Sequence, residues 1–420
     1  MVTKCTNKLC LLDDPHTEYV LLRNCFALPK LSYSLRTINP QFHQGLLQSF
    51  DTSVRDCLEQ IIGAPLLNHQ WKQASLPVAL GGLALKSAEF HAPGAYLASV
   101  CASSQIMDEI LKKESEFEDD ILVNHINLWT GVSPITVEEA RGLTQRAISQ
   151  RVDDYFSKQL FEEAVSERDM ARINSVAMSH AGDWLNTVPI KALGLNLRPR
   201  EFITSVKYRL GLKVYDSSGE CIACGQSSDE FGDHSIGCSS EGERIYRHNT
   251  LRDAIYMTAK QASLSPAKEQ SALLPGSAEK PADVYLPGWA NGRDAALDVS
   301  VVSPLQQQLI QKAAEEAGSA AEKRNQEKLS RYNNVCQAEG IEFLPVVVET
   351  LGGWHKDGVE VISKLARQLA SHTGGAKDEV TRHLFQRLGV LLARGNAALI
   401  LNRVPVYTDA IVDGDQDMDI

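Results

Sequence analysis

The chain lacks any run of the roughly 20 consecutive apolar residues that a membrane helix needs, so no membrane partner is expected. Its first residues have no apolar leader core, and secretion is not expected either. Aromatics make up only 6% of the residues. A basic excess is missing too: the formal charge is −11, which excludes a simple basic DNA-coating protein. A nuclease with a local basic face survives that charge, because only the field at the site matters. Cysteine is too sparse for a disulfide scaffold, and nine is an odd number, which argues for reduced thiols in a reducing compartment.

What is present is ordinary for a folded protein. Hydrophobic residues at 43% and charged residues at 23% exclude wholesale disorder, and 420 residues suffice for two or three domains. Asn39-Pro40 opens a stretch in which Phe42, Leu46, Phe50, Val54, Leu58 and Ile62 recur every four residues before Gly63, which predicts a helix. Helices are also expected around Ala92–Val100, Glu138–Phe156, Arg200–Leu212, Glu243–Ala262, Leu305–Ala338, Val359–Ser371 and Glu379–Asn402. Asp283–Leu286, Ala295–Val302 and Phe343–Glu349 read as strands. The expected class is α+β: a helical N-terminal third, a cysteine-rich loop, then a small α/β core. The tail after Val406 carries Asp409, Asp413, Asp415, Asp417 and Asp419 without a base, and reads as a solvated end.

Three groups of residues carry chemistry. Cys221, Cys224, His234 and Cys238 follow a C-x2-C-x9-H-x3-C spacing, three thiols and an imidazole suited to one tetrahedral structural Zn²⁺. The alternative is scattered free cysteines beside a surface histidine. Next, Arg244, Arg247, His248 and Arg252 share one helical face, either a phosphate-contacting stripe or a solvated face neutralised by nearby acids.

The third group is a pair of carboxylates on a hairpin. Asn291-Gly292 favours a two-residue turn in which Ala290 pairs with Arg293. That register sets Asp283 opposite Ser300 and Asp298 on the diagonal, roughly 7–8 Å away, within joint reach of one Mg²⁺. The alternative places Asp283 at a strand start and Asp298 on an edge. Glu269 is a third carboxylate upstream, and Lys328, Arg331 and Tyr332 share a face of the following helix. A lysine there would stabilise charge on a cleaved phosphate, or simply be solvated.

Taken in order, these residues resemble the C-terminal region of a non-LTR retrotransposon polyprotein carrying a restriction-like endonuclease. Glu220–Asp253 looks like its CCHC knuckle and basic helix, Lys280–Pro304 like its catalytic hairpin, and Lys328-Leu329-Ser330-Arg331-Tyr332 like its K-x-x-K-Y element. Leu21-Leu22-Arg23, Leu31 to Arg36, and Leu80-Gly81-Gly82-Leu83 look like the thumb that follows the polymerase palm.

The resemblance implies a thumb-like region at 1–100, a helical connector at 101–200, the zinc knuckle with its basic helix at 201–265, a PD-(D/E)xK nuclease core at 266–404 and an acidic tail at 405–420. It implies catalysis by Asp283, Asp298 and Lys328 with Glu269 as the upstream acid. Mg²⁺ or Mn²⁺ would sit on the aspartates, and Arg244, Arg247, His248, Arg252, Arg331 and Tyr332 would meet nucleic acid. Partners would be target DNA and the element's RNA, in the nucleus, where nicking primes reverse transcription. Three positions depart from the family pattern: Ala282 separates Pro281 from Asp283, Ser300 stands at the x-K lysine, and Arg331 replaces a Lys. Asp13-Asp14 lacks the aromatic of a polymerase signature, so no polymerase palm is expected. The other reading is a decayed or domesticated zinc-knuckle module that binds nucleic acid without cutting it.

Overall fold

The computed structural model describes residues 8–112, 123–124, 126–127, 131, 135–240, 242–271, 273–274, 280–290 and 292–404. The expected acidic tail and Asn291 lie outside the described residues. The chain is mixed α+β, with helices dominating and two small sheets.

In the N-terminal half, α1 (Gln44–Ile62) buries Leu47, Phe50, Val54, Leu58 and Ile62 and ends on Gly63 in the left-handed region, φ +61°. Phe42 and Leu46 were expected in that stripe but are 79% and 69% exposed. Pro40 starts a separate 3₁₀ turn, Pro40–Phe42, so the helical phase begins only at Gln44. Asp14 is a helix cap, accepting from the Thr17 N–H and hydroxyl, which accounts for the Asp13-Asp14 pair without polymerase chemistry.

α1 also caps its neighbour. The Asp51 carboxylate accepts from the Ala88 and Glu89 N–H groups at 2.7 and 3.1 Å and from the Ser87 hydroxyl, at the start of α2 (Ala88–Leu111). Asp51 is buried, so its removal leaves these donors without water. Asp51→Ala is expected to cost about 2 kcal/mol, read as a lower urea midpoint at unchanged slope; a change below about 0.5 kcal/mol would contradict this role.

The expected helix at Glu138–Phe156 is two, Val137–Gly142 and α3 (Gln145–Glu162), because the Thr144 side chain caps the second. α4 (Glu167–Val176) and α5 (Pro199–Leu210) follow. Fully buried Arg209 on α5 donates to the carbonyls of Val78, Val176 and Ala181, and buried Arg172 on α4 donates to Gln73 Oε1 and the Arg209 carbonyl. Gly82 is required here: a Cβ would stand 2.0 Å from the Leu76 carbonyl oxygen.

Phe202, Val206 and Leu210 of α5 pack in one core with Tyr19, Leu58 and Leu83 from the N-terminal third. The expected boundary near residue 200 therefore runs through a shared core. Cutting there would expose Phe202, which packs against the Tyr19 ring at 5.5 Å between centroids.

The second half holds both sheets. β1 (Gly219–Glu220) and β2 (Ser227–Ser228) form a small hairpin, followed by α6 (Glu243–Gln261). The main sheet has the order β3 (Ala267–Lys268), β4 (Val284–Ala290), β5 (Arg293–Val302), β6 (Ile341–Glu349). β3–β4 and β4–β5 are antiparallel, and β5–β6 is parallel.

The β5–β6 crossover was expected as one helix over Leu305–Ala338. It is Ile310–Glu315 and α7 (Ser319–Ala338), with Gly318 at φ +79° turning the chain between them. α8 (Lys356–Thr373) and α9 (Lys377–Leu401) complete the fold. Ala295, Leu297 and Val299 pack with α6, α8 and α9 on one face, while Ala296 meets Tyr332 and Cys336 of α7 on the other. That alternation sends Asp298 to the α7 side.

Among the described residues α9 is long and apolar enough by length and composition to cross a membrane, though charges interrupt it, and 61% of its apolar window is buried in the protein, as in a core helix.

Candidate metal centre and adjoining cleft

Local backbone geometry gathers the four expected donors. Gly225, at φ +68°, donates to the Cys221 carbonyl at 2.8 Å, and the Cys221 N–H donates to Gln226 at 2.8 Å. This tight turn faces Cys221 and Cys224 the same way. Asp229 then accepts from the N–H groups of Phe231, Asp233 and His234, starting the short helix Asp233–Gly237 that carries His234. The four donor atoms of Cys221, Cys224, His234 and Cys238 all lie within 4.8 Å of one another, with Cys224 Sγ 3.3 Å from His234 Nε2.

Burial lowers the His234 pKa and favours the neutral imidazole that ligates. Burial opposes ionisation of Cys238, but the Ser240 N–H, Cys224 and Arg403 together outweigh it and pull the thiol down. Three thiols and one imidazole converging this closely fit a single tetrahedral metal ion such as Zn²⁺. All four positions are supplied by protein, so such an ion would be structural.

The loop is fastened to its surroundings. Arg168 pairs with Asp233, the Tyr215 hydroxyl donates to the Ile400 carbonyl at 2.7 Å, and fully buried Arg403 holds Glu243 and the Ser240 carbonyl. Glu243 is the first residue of α6, so the metal loop, α6 and the end of α9 are tied at one point.

Beyond α6 opens a cleft of about 480 Å³ lined by Arg244, His248, Asp283, Asp298, Arg324 and Lys328, among others. The hairpin that shapes it differs from expectation in one respect. Ala290 does pair with Arg293, but Leu286 pairs with Ala295 and Val284 with Leu297. A bulge at Pro287-Gly288 shifts the ladder, and the Asp294 carboxylate secures it by accepting from the Gly288 N–H at 2.8 Å. Asp283 stands just before β4 and outside its ladder, so it does not pair with Ser300; its N–H donates to the Leu297 carbonyl at 2.9 Å, and it lines the same cleft as Asp298.

Lys328 Nζ stands 2.9 Å from Asp298 Oδ1, and the Ser300 hydroxyl donates to Asp298 Oδ2 at 3.3 Å. Asp283 Oδ2 accepts from the Val299 N–H at 2.7 Å and lies 3.1 Å from His248 Nε2. Burial raises the Asp298 pKa, with the Asp283 charge adding and Lys328 opposing. Hydrogen bonding to Asp283 raises that of His248 against burial.

Of the other expected contacts, only Arg247 borders the cleft, and its guanidinium is turned into the protein. Arg247 is only 4% exposed, donates to Asn396 on α9 at 2.7 Å, and is lowered by burial to about 10. Arg252 is buried against Asp253 and Glu269. Glu269 is turned to Arg252 and Lys280 and does not line the cleft. Tyr332 is buried beside Phe343, and exposed Arg331 lies over its ring at 5.0 Å. The periodic stripe on α6 is real as a shared face, but most of that face points inward.

Arg324 is the charged lining residue that sequence reading missed, beside uncharged Ser239, Ile245 and Val301. Its position four residues before Lys328 puts both on one helical face.

No protein-family model matches the chain, and a comparison with curated proteins finds no match.

Proposed function

We propose that the cleft is the active site of a metal-dependent DNA endonuclease of the restriction-like kind carried by non-LTR retrotransposons. The observation that supports this most is that Asp283 and Asp298 line one open groove close enough for their charges to interact, with Lys328 on the Asp298 carboxylate. Two adjacent carboxylates repel each other, and one of them is buried, so a divalent cation would relieve a cost that Lys328 offsets only in part.

Asp283 and Asp298 would hold Mg²⁺ or Mn²⁺. When bound, the ion supplies an activated water and neutralises the leaving oxygen. Lys328 would stabilise charge on the cleaved phosphate, His248 would orient Asp283, and Arg244 and Arg324 would hold flanking phosphates. Target DNA would be the substrate, with the element's RNA as a further partner and the nucleus as the site of action. Glu269 has no role in this scheme.

Ser300, in place of a lysine, favours the second reading, a zinc-knuckle module that binds nucleic acid without cutting. The assay is nicking of supercoiled plasmid with Mg²⁺ or Mn²⁺, stopped by a chelator. Lys328→Ala is expected to slow nicking by about 100-fold. Lys312→Ala should leave the rate unchanged, because Lys312 pairs with Glu316 outside the cleft. A Lys328→Ala rate equal to the parent's would remove the lysine from the mechanism.

A further inference from the structure

A large apolar side chain stands in water at the mouth of the cleft, and a second, exposed one is its neighbour on the same helical turn. On the first turn of α6, Ile245 is 65% and Tyr246 is 68% exposed, and Ile245 itself lines the cleft. The helix has an interior to offer, since it buries Leu251 and Ile255 further along. Adjacent exposed apolar residues at a groove mark a surface that is covered in use.

The charge around them says what covers it. Arg244 is exposed, donates to the Gly237 carbonyl at 3.1 Å, and pairs with no carboxylate among the described residues. Arg244 and Arg324 line both the cleft and a second hollow that continues past Val301 and Val302 to Lys323 and Glu327, with Glu327 pairing Arg324 at 3.2 Å. A track with three cations to one acid and an apolar step beside it fits a strand of phosphates bearing flat apolar bases. It fits an acidic peptide less well, because only the strand offers an apolar face at every unit.

We propose that Ile245 and Tyr246 form a platform for the base next to the phosphate in the cleft, and that the platform selects DNA already unpaired at that base. The identity of the strand rests on the nuclease reading above. Ile245 lies three residues before His248, about one helical turn or ~4.5 Å along the axis from the residue that contacts Asp283. A base beside the phosphate at Asp283 is therefore within reach of the platform. Stacking on an aromatic ring accepts any base, since every base has a π face. An apolar wedge can enter an intact duplex only by unstacking a step, whereas an unpaired base carries no such cost.

The test is fluorescence anisotropy of the full chain in Ca²⁺ without Mg²⁺, on two labelled DNAs of one sequence and length. One is fully paired and the other has a short internal bubble. The parent should bind the bubble at least tenfold more tightly. Tyr246→Ala and Ile245→Ala should bring the ratio below about threefold at unchanged duplex affinity, and Tyr246→Phe should retain it. Arg244→Ala should weaken both DNAs alike.

Equal parental affinity for both DNAs overturns the proposal. So does a Tyr246→Ala variant that weakens both equally, or a parent that binds neither. A parent that shows the ratio yet never nicks keeps the platform and removes the nuclease reading. A parent that nicks without the ratio does the reverse.

Discussion

Cys224→Ser is expected to empty the metal centre and to destabilise much more than its own loop. Purified parent should carry about one Zn per chain by elemental analysis, and the variant none, because a site built from four protein donors has no spare ligand. Structural zinc contributes on the order of 10 kcal/mol to folding where nothing else holds the ligands. Here Asp229, Arg168 and Arg403 also hold the loop, so a smaller loss is expected, on the order of 4 kcal/mol or about 5 °C in melting temperature for a chain of this length.

The loss should spread to the start of α6 and the end of α9, where Arg403 joins Cys238, Glu243 and Ser240. Hydrogen exchange should report both segments opening together when the parent is treated with a chelator. A zinc-free parent of undiminished stability would contradict the assignment.

The two candidate sites were legible in the sequence to different degrees, for physical reasons. The four candidate metal ligands lie within eighteen residues, so spacing alone constrains their geometry, and the structure brings all four together. Asp283, Asp298 and Lys328 depend on strand register and on packing between distant segments. The expected pairing of Ala290 with Arg293 is present, but the length of the bulge at Pro287-Gly288 is a backbone choice that no residue pattern states.

The stripe on α6 shows a different limit. Periodicity tells which residues share a face and not which way the face points, so Arg247 and Arg252 read as surface, whereas both are buried, Arg247 on buried Asn396 and Arg252 under exposed Glu269. Most helices were readable from their apolar spacing. The breaks at Thr144 and Gly318 were not, because the surrounding residues are good helix formers on both sides.

The carboxylate pair has the largest functional effect at stake. Asp283→Asn and Asp298→Asn keep side-chain shape while removing charge, so each should abolish divalent-cation binding in the cleft and drop nicking to the level of chelated protein. Neither should prevent DNA binding, since Arg244 and Arg324 remain. A melting curve for each variant separates loss of the ion from loss of the fold.

The most direct measurement is conversion of supercoiled plasmid to open circles in Mg²⁺ by the parent and these two variants, side by side. The account predicts steady nicking by the parent, arrest by a chelator, and background rates for both variants while they still bind the plasmid. A parent that binds DNA but never nicks it with any divalent cation, or an Asp283→Asn variant that nicks at the parental rate, would contradict it.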